Sequence, residues 1–211
     1  EEIGKTVNHN NWRSYIAYGR KNNYSNSKLI KIGNQWDQYL HGIQTRLFDN
    51  HGLASKNATK KLIKKISEID PDIIHLHNIH GYYVNIKLLF NYLSTIKTPL
   101  FWTLHDCWAF TGHCIHFEYI KCDRWRNICY SCPQKKSYPA SYLLDKSKLN
   151  FSLKKQLFTG VKNMHLIPVS RWLATHLDNS FLSNYKKSVI NNGIDTKVFC
   201  PNHSSETKIK Y

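Results

Sequence analysis

Leu100-Phe101-Trp102-Thr103-Leu104-His105-Asp106 is the clearest fold signal in the sequence. Its first five residues have the character of a buried strand, and the last two bring an imidazole and a carboxylate to the end of that strand. In open α/β sheets, ligands bind just beyond the carboxyl ends of the strands. A neutral imidazole beside a carboxylate can take a proton from a hydroxyl near neutral pH. His105 and Asp106 are therefore the predicted catalytic residues.

The rest of the chain alternates strand-like and helix-like segments. The patterns predict strands over 14–18, 73–77, 165–169 and 187–190, and helices over 58–69, 86–93, 149–158 and 171–177. Residues 28–50 are predicted as loop with a short helix. Strands that alternate with helices form βαβ units, so the sequence predicts an α/β fold built on a parallel sheet.

Polar residues follow the other predicted strands as well. They are His75, His77 and His80 after one strand, Ser170 after another, and Asn191, Asn192 and Gly193 after the last. Because the carboxyl ends of parallel strands meet at one edge, we expect these residues to line one substrate-binding crevice. Taken singly they also have ordinary structural interpretations, since Ser caps helices and Asn-Gly forms turns.

The chain is strongly basic for its 211 residues, with 30 Lys and Arg against 14 Asp and Glu and a formal net charge of +16. Such a charge favours anionic partners: nucleic acid, an anionic membrane surface or phosphorylated substrates. The basic residues are scattered along the sequence, so a solvated lysine-rich surface explains the charge equally well. No apolar run approaches the ~18 residues that a membrane-spanning helix needs.

The Cys-rich segment (residues 107–139) has little periodicity and is interpreted as an insertion. Its spacing Cys114-x7-Cys122-x6-Cys129-x2-Cys132 includes one C-x-x-C knuckle. The spacing predicts a tetrahedral structural zinc site, with Cys114, Cys122, Cys129 and Cys132 as the metal ligands. His113, His116 and Cys107 are further candidate ligands, and buried thiols or disulfides are the alternative.

Four short motifs occur in a fixed order. They are Asp72-Ile73-Ile74-His75-Leu76-His77, Thr103-Leu104-His105-Asp106, Val169-Ser170-Arg171-Trp172-Leu173, and the stretch from Val189 to Phe199. Together they resemble the N-terminal half of retaining glycosyltransferases of the GT-B fold, family 4 type. The run from Trp102 to Cys114, with the three cysteines that follow it, is similar to a bacterial subgroup associated with capsule, O-antigen or exopolysaccharide assembly.

The resemblance implies a two-domain enzyme whose N-terminal domain, a Rossmann-like parallel sheet with helices on both faces, binds the acceptor. Residues 1–192 would form that domain, and residues 193–211 the interdomain linker and the start of the donor domain. His105 would lie near the reacting sugar, with Asp106 beside it. The substrate-binding residues would be His75, His77, His80, Ser170, Asn192, Gly193 and Asp195.

The same resemblance places the family's first strand and Gly-rich loop before Glu1 and its donor domain after Tyr211. The chain is therefore expected to be a fragment that is inactive in isolation. The complete reaction would transfer a sugar with retention from a nucleotide-sugar to a lipid-linked or saccharide acceptor, without a catalytic cofactor. The expected location is cytoplasmic, peripheral to the inner face of the cell membrane.

Two other function classes fit parts of the sequence. A zinc-stabilised, basic nucleic-acid-binding protein would carry cations among its cysteines, as Lys121, Arg124, Arg126, Lys135 and Lys136 do here. A non-catalytic partner subunit would obtain the remaining domains from another chain. The nucleic-acid interpretation does not explain the βαβ alternation or the polar strand ends, so no specific nucleic-acid partner is predicted.

Overall fold

The computed structural model describes residues 1–21, 24–196 and 199. Its helices are α1 (Glu2–His9), α2 (Gln35–Phe48), α3 (Lys56–Ile69), α4 (Ile86–Leu93), α5 (Ser147–Thr159) and α6 (Arg171–Asp178). Its strands are β1 (Tyr15–Tyr18), β2 (Lys28–Lys31), β3 (Ile74–Leu76), β4 (Leu100–Leu104) and β5 (Met164–Pro168). Of the helices in these ranges, none is long and apolar enough to cross a membrane.

The strands form two parallel sheets in the described part of the chain. β1 pairs with β2, and β4 lies between β3 and β5 with all three strands parallel. The register aligns Leu76 with Trp102 and Leu104 with Pro168, so the three strands end towards a common edge. The predicted α/β class is confirmed, and parallel strands connected through helices are the Rossmann-like arrangement.

Aromatic side chains fill the core beside the three-stranded sheet. The ring of Trp102 on β4 lies 4.9 Å from that of Phe158 on α5, and Phe158 lies 4.4 Å from Phe90 on α4. All three side chains are buried. Burial of a side chain of this size stabilises a fold by roughly 2–3 kcal/mol. This packing holds β4 in place, and with it the His-Asp pair at the end of β4.

The observed elements agree with most of the predicted ones to within two residues, but the region 28–50 differs. It forms β2 and the 14-residue helix α2 instead of loop with a short helix. The helix begins at a capping box, in which Asn34 accepts from the backbone of Asp37 and Asp37 accepts from that of Asn34. Trp36 and Tyr39 are exposed on the helix, so its sequence lacks the usual amphipathic spacing.

The strand predicted over 187–190 is reduced to one bridge, between Leu166 and Lys187, in the described residues. The backbone still runs beside β5, because the N–H of Ser188 donates to the carbonyl of Leu166 at 3.1 Å. The domain boundary predicted between residues 192 and 193 remains a prediction. Residues 197, 198 and 200–211 lie outside the described part of the chain.

Polar side chains from two helices anchor the Cys-rich segment. Asp49, at the end of α2, pairs through Oδ1 with Nδ1 of the buried His113 at 2.7 Å. Lys154 of α5 donates from Nζ to the carbonyls of Trp108 and Thr111 at 2.7 and 3.0 Å. The segment itself contains only three short 3₁₀ turns. These anchors provide the connections that a helix or sheet would otherwise supply.

Candidate active site

A pocket opens at the carboxyl ends of β3 and β4. His77, His80, His105 and Asp106 all line it, together with Trp108. The first three of these predicted side chains come from two different strand ends separated by a helix. Their convergence follows from the parallel sheet, in which the ends of neighbouring strands lie side by side.

Asp106 is held from two sides. Its Oδ1 accepts the backbone N–H of Trp108 at 2.9 Å, and its Oδ2 lies 3.1 Å from Nε2 of His80. Burial alone would raise the pKa of Asp106, but the hydrogen bonds from His80 and Trp108 and the nearby charges hold that pKa below its usual value. The sequence paired Asp106 with its neighbour His105, whereas the hydrogen-bonded partner in the structure is His80.

Three imidazoles form a row beside this pair. Nε2 of His75 lies 2.8 Å from Oγ1 of Thr103, and the ring centroid of His75 lies 4.3 Å from that of His77. Nδ1 of His77 in turn lies 3.3 Å from Nε2 of His105. Desolvation is the main cause that lowers the pKa of all three imidazoles, and it outweighs the opposing effect of Asp106 on His105. The row is therefore neutral at neutral pH and can exchange hydrogen bonds with substrate hydroxyls.

His51 contacts two residues that line the pocket, His80 and Trp108, and was not found from the sequence. Its Nε2 is 2.6 Å from the carbonyl of His80, and its ring packs 5.0 Å from Tyr82 and 5.3 Å from Trp108. Burial lowers the pKa of His51 well below its usual value. Its buried Nδ1 has no hydrogen-bond partner among the residues that the structure describes. His51 follows α2, far in sequence from any strand end, so no sequence signal pointed to it.

Two tyrosines and two arginines lie next to the pocket. The rings of Tyr82 and Tyr138 are 6.1 Å apart, and their side chains are hydrogen-bonded. The guanidinium of Arg20 lies 5.4 Å from the centroid of the Tyr82 ring, and the charge of Arg46 also acts on the Tyr82 hydroxyl. Burial raises the pKa of Tyr82 to about 12, so this hydroxyl keeps its proton at neutral pH. Arg20 follows the end of β1 closely. The expectation that ligands bind just beyond the carboxyl ends of strands could therefore have found it.

Comparison with known proteins identifies the family of the chain. The sequence model described as Glycosyltransferase Family 4 matches residues 8–198, which include every residue of the pocket. The chain belongs to Glycosyltransferase Family 4. A relative from Escherichia coli (strain K12), provisionally named colanic acid biosynthesis glycosyl transferase WcaC, is 29% identical over 158 residues. The match covers 71% of this chain and 37% of that relative, so the chain spans well under two thirds of the relative's length.

Five predicted substrate-binding residues of this Family 4 chain do not line the pocket. One is His75, whose ring packs on that of His77; the others are Ser170, Asn192, Gly193 and Asp195. Ser170 accepts the backbone N–H of Leu173 at 3.2 Å and caps α6, which is its ordinary structural role. Asn192, Gly193 and Asp195 lie in an exposed stretch after the bridge to β5. Their part in binding substrate remains a prediction.

The four predicted metal ligands border one small cavity, of about 10 Å³. They are the free cysteines Cys114, Cys122, Cys129 and Cys132. Cys114 and Cys132 are hydrogen-bonded to each other, and Sγ of Cys129 accepts the backbone N–H of Gly112 at 3.2 Å. Within the described ranges, however, no three His, Cys, Asp or Glu side chains form a group that could hold a metal ion. A zinc site in this Family 4 chain is therefore still a prediction, and His113 is already paired with Asp49.

Lys154 connects the Cys-rich segment to the pocket. Its Nζ lies 3.6 Å from the centroid of the Trp108 ring. Trp108 also lines the pocket. Complete burial lowers the pKa of Lys154 to about 7. Nearby charges oppose this shift because they favour the protonated amine; they belong to Cys129, Cys114, Asp49 and Asp106. The amine therefore contributes to the low pKa of Asp106 from behind the Trp108 ring.

Proposed function

We propose that the chain is the acceptor-binding half of an enzyme that transfers a sugar from a nucleotide-sugar to a lipid-linked or saccharide acceptor. The observation that carries this proposal is the pocket in which His80, His105 and Asp106 converge. Membership of Glycosyltransferase Family 4 supports the reaction class. The E. coli relative, named for colanic acid biosynthesis, supports polysaccharide synthesis as the setting. A C-terminal domain would hold most of the donor.

His105 is the residue that we assign to the reacting sugar. Its lowered pKa keeps the imidazole neutral, so it can hydrogen-bond to a substrate hydroxyl without adding charge. Asp106 and His80 act as positioning residues, because their 3.1 Å contact fixes both side chains beside the pocket. The proposed transfer retains the anomeric configuration and uses no catalytic cofactor.

The proposed location is cytoplasmic, at the inner face of the cell membrane. The net charge of +16 favours an anionic surface, and α2 exposes large side chains of the kind that enter a lipid interface. Trp36 is 71% exposed and Tyr39 is 61% exposed. Flotation with phosphatidylglycerol vesicles tests this location. We expect binding that falls with salt and with Trp36→Ser, and salt-insensitive absence of binding would remove the proposal.

A transfer assay on the full-length enzyme tests the proposed function. The donors are a panel of UDP- and GDP-sugars, and the readouts are release of UDP or GDP and the anomeric configuration of the product by NMR. We expect His105→Ala to lower kcat by about 10²-fold or more, since the substituted side chain can neither donate nor accept a proton. The matched control is His9→Ala, at the exposed end of α1, which is expected to leave kcat unchanged.

Two results would count against this function. One is a His105→Ala enzyme as active as wild type, and the other is a full-length protein that releases no nucleotide from any donor. Residues 1–211 by themselves are expected to show no transfer, because the match covers 37% of the relative's length and we propose that the donor-binding half lies outside them. Transfer by the isolated chain would show that the acceptor-half assignment is wrong.

We also propose that the four cysteines around the small cavity bind a structural zinc ion when metal is supplied. Their convergence on one cavity and their free thiols support this, although the thiols would have to draw closer together to form a tetrahedral site. Metal analysis of protein purified without chelator, compared with Cys129→Ser, is the test. We expect one zinc per chain in the wild type and loss of that zinc in the variant; a metal-free wild type contradicts the proposal.

A further inference from the structure

A cluster of two tyrosines and two arginines adjoins the pocket, and we call it the Tyr-Arg cluster: Tyr82, Tyr138, Arg20 and Arg46. Tyr138 connects the two, because its hydroxyl is hydrogen-bonded to Tyr82 and also feels the charge of Asp106. The four side chains come from the end of β1, the loop after β3, the Cys-rich segment and α2. Residues from four separate parts of the chain therefore meet beside His80 and Asp106.

The packing brings these elements into close contact at the end of β1. A Cβ atom on Gly19 would lie 2.1 Å from the ring of Tyr83, so only glycine lets the backbone before Arg20 approach that ring. The side chain of Gln38 on α2 donates to the carbonyl of Gly19. Arg20 is exposed, but the contacts of Gly19 fix the backbone before it, and its guanidinium lies over the ring of Tyr82.

The two arginines have no carboxylate partner in the described part of the chain. None of the ion pairs there includes Arg20 or Arg46. Arg20 instead faces an aromatic ring, which leaves its N–H groups available to an anion. Asp106 is the carboxylate whose charge acts on Tyr138, and His80 already pairs with it.

Two further observations indicate a ligand at this place. Tyr82 has a φ of +65°, a left-handed conformation that costs a bulky residue energy and is concentrated at functional sites. His51 packs against both tyrosine rings, at 5.0 Å from Tyr82 and 6.0 Å from Tyr138, and its buried Nδ1 lacks a partner in the described residues. Strain and an unsatisfied polar atom thus occur together at the Tyr-Arg cluster.

We propose that the Tyr-Arg cluster binds a diphosphate group of the substrate, with the guanidinium groups of Arg20 and Arg46 on its oxygens and the hydroxyl of Tyr138 as an additional donor. Arginine forks match phosphate oxygens in geometry and charge, and tyrosine hydroxyls donate to them. The inference deepens the proposed function, since it rests on the pocket being the transfer site. The diphosphate belongs either to a lipid-linked acceptor or to the nucleotide-sugar, and the chemistry of the cluster is the same for both.

Isothermal titration of the protein with inorganic pyrophosphate tests the Tyr-Arg cluster without requiring sugar transfer. We expect Arg20→Gln and Arg46→Gln each to weaken binding about tenfold, which corresponds to one lost charge-assisted contact. Tyr138→Phe keeps the ring and should weaken binding by a smaller factor. The matched control is Arg13→Gln, an exposed arginine before β1, which should bind as wild type does. Thermal unfolding of each variant separates lost binding from lost folding.

Two measurements then distinguish the two sources of the diphosphate. One is competition of pyrophosphate binding by geranyl diphosphate and by UDP. The other is whether the KM for the acceptor or the KM for the nucleotide-sugar rises in the Arg20→Gln enzyme. Unchanged pyrophosphate binding in Arg20→Gln and Arg46→Gln overturns the proposal. So does equal weakening in Arg13→Gln, because that result means unspecific attraction to a basic protein. If a protein without transferase activity still binds pyrophosphate through Arg20, the diphosphate site stands and only the proposed function is refuted.

Discussion

Replacing Asp49 by Asn removes the carboxylate that anchors the Cys-rich segment to the end of α2. Oδ1 of Asp49 lies 2.7 Å from Nδ1 of His113, and its Oδ2 accepts the backbone N–H of Lys146 at 2.7 Å. The side chains of Asp49 and His113 are 0% and 1% exposed. Asp49 has a φ of 53°, a conformation that Asn also adopts readily, so the substitution removes charge without new backbone strain.

The expected loss of stability follows from this burial. Breaking a buried ion pair by removing one partner costs about 3–5 kcal/mol. Asn keeps one acceptor oxygen and His113 can become neutral, so we expect a loss of about 2–3 kcal/mol. For a chain of this length, that corresponds to a fall in Tm of about 4–12 °C.

The loss should also depend on pH. Burial would lower the pKa of His113, but the hydrogen bond and charge of Asp49 raise it above its usual value. A group whose pKa is raised on folding contributes its full stabilisation below the unfolded pKa, about 6.5 for His, and loses it as pH rises through the folded pKa. The difference between wild type and Asp49→Asn should therefore be largest near pH 6 and smaller at pH 9.

Thermal and urea unfolding at both pH values measure these differences. The matched control is Asp72→Asn, an exposed aspartate that precedes β3, which should change stability by less than about 0.5 kcal/mol. The reasoning fails if Asp49→Asn is as stable as that control, or if its difference from wild type grows as pH rises.

Three other substitutions test separate parts of the fold. Phe158→Ala should cost about 3–5 kcal/mol in the free energy of unfolding, because it empties the space beside Trp102, and urea unfolding measures it. Gly112→Ala places a Cβ 2.2 Å from the carbonyl oxygen of Ser147, so we expect a loss of several kcal/mol, and a Tm equal to wild type would be inconsistent with this contact. Ser170→Ala should lower stability by about 1 kcal/mol through the lost helix cap, and Ser170→Asp should restore most of it.

The sequence predicted the elements whose patterns are local. β4 is a continuous buried run, and α6 begins at a Ser whose side chain caps it, so both were placed to within one residue. α2 was missed because Trp36 and Tyr39 are exposed on it and blur the spacing that identifies a helix. A helix whose large side chains are exposed carries no clear period, and only the rest of the fold establishes it.

The residues of the candidate site could be predicted from the sequence in part, but their pairing could not. His77, His80, His105 and Asp106 were identified from the sequence because each follows a strand, and parallel strands bring their carboxyl ends to one edge whatever the details of packing. The pairing within that set was decided by the tertiary structure, where Asp106 reaches His80 across two strand ends and not the neighbouring His105.

The α/β class and the edge of the sheet that carries the candidate site could thus be predicted from the sequence, because the periodicity of each element is a local property. The side chains beside that edge could not. His51 follows α2 and Tyr138 lies in the aperiodic Cys-rich segment, yet their rings lie 6.0 Å apart beside the pocket, where His51 also packs on Trp108. Such contacts depend on how whole elements pack, which no local spacing records.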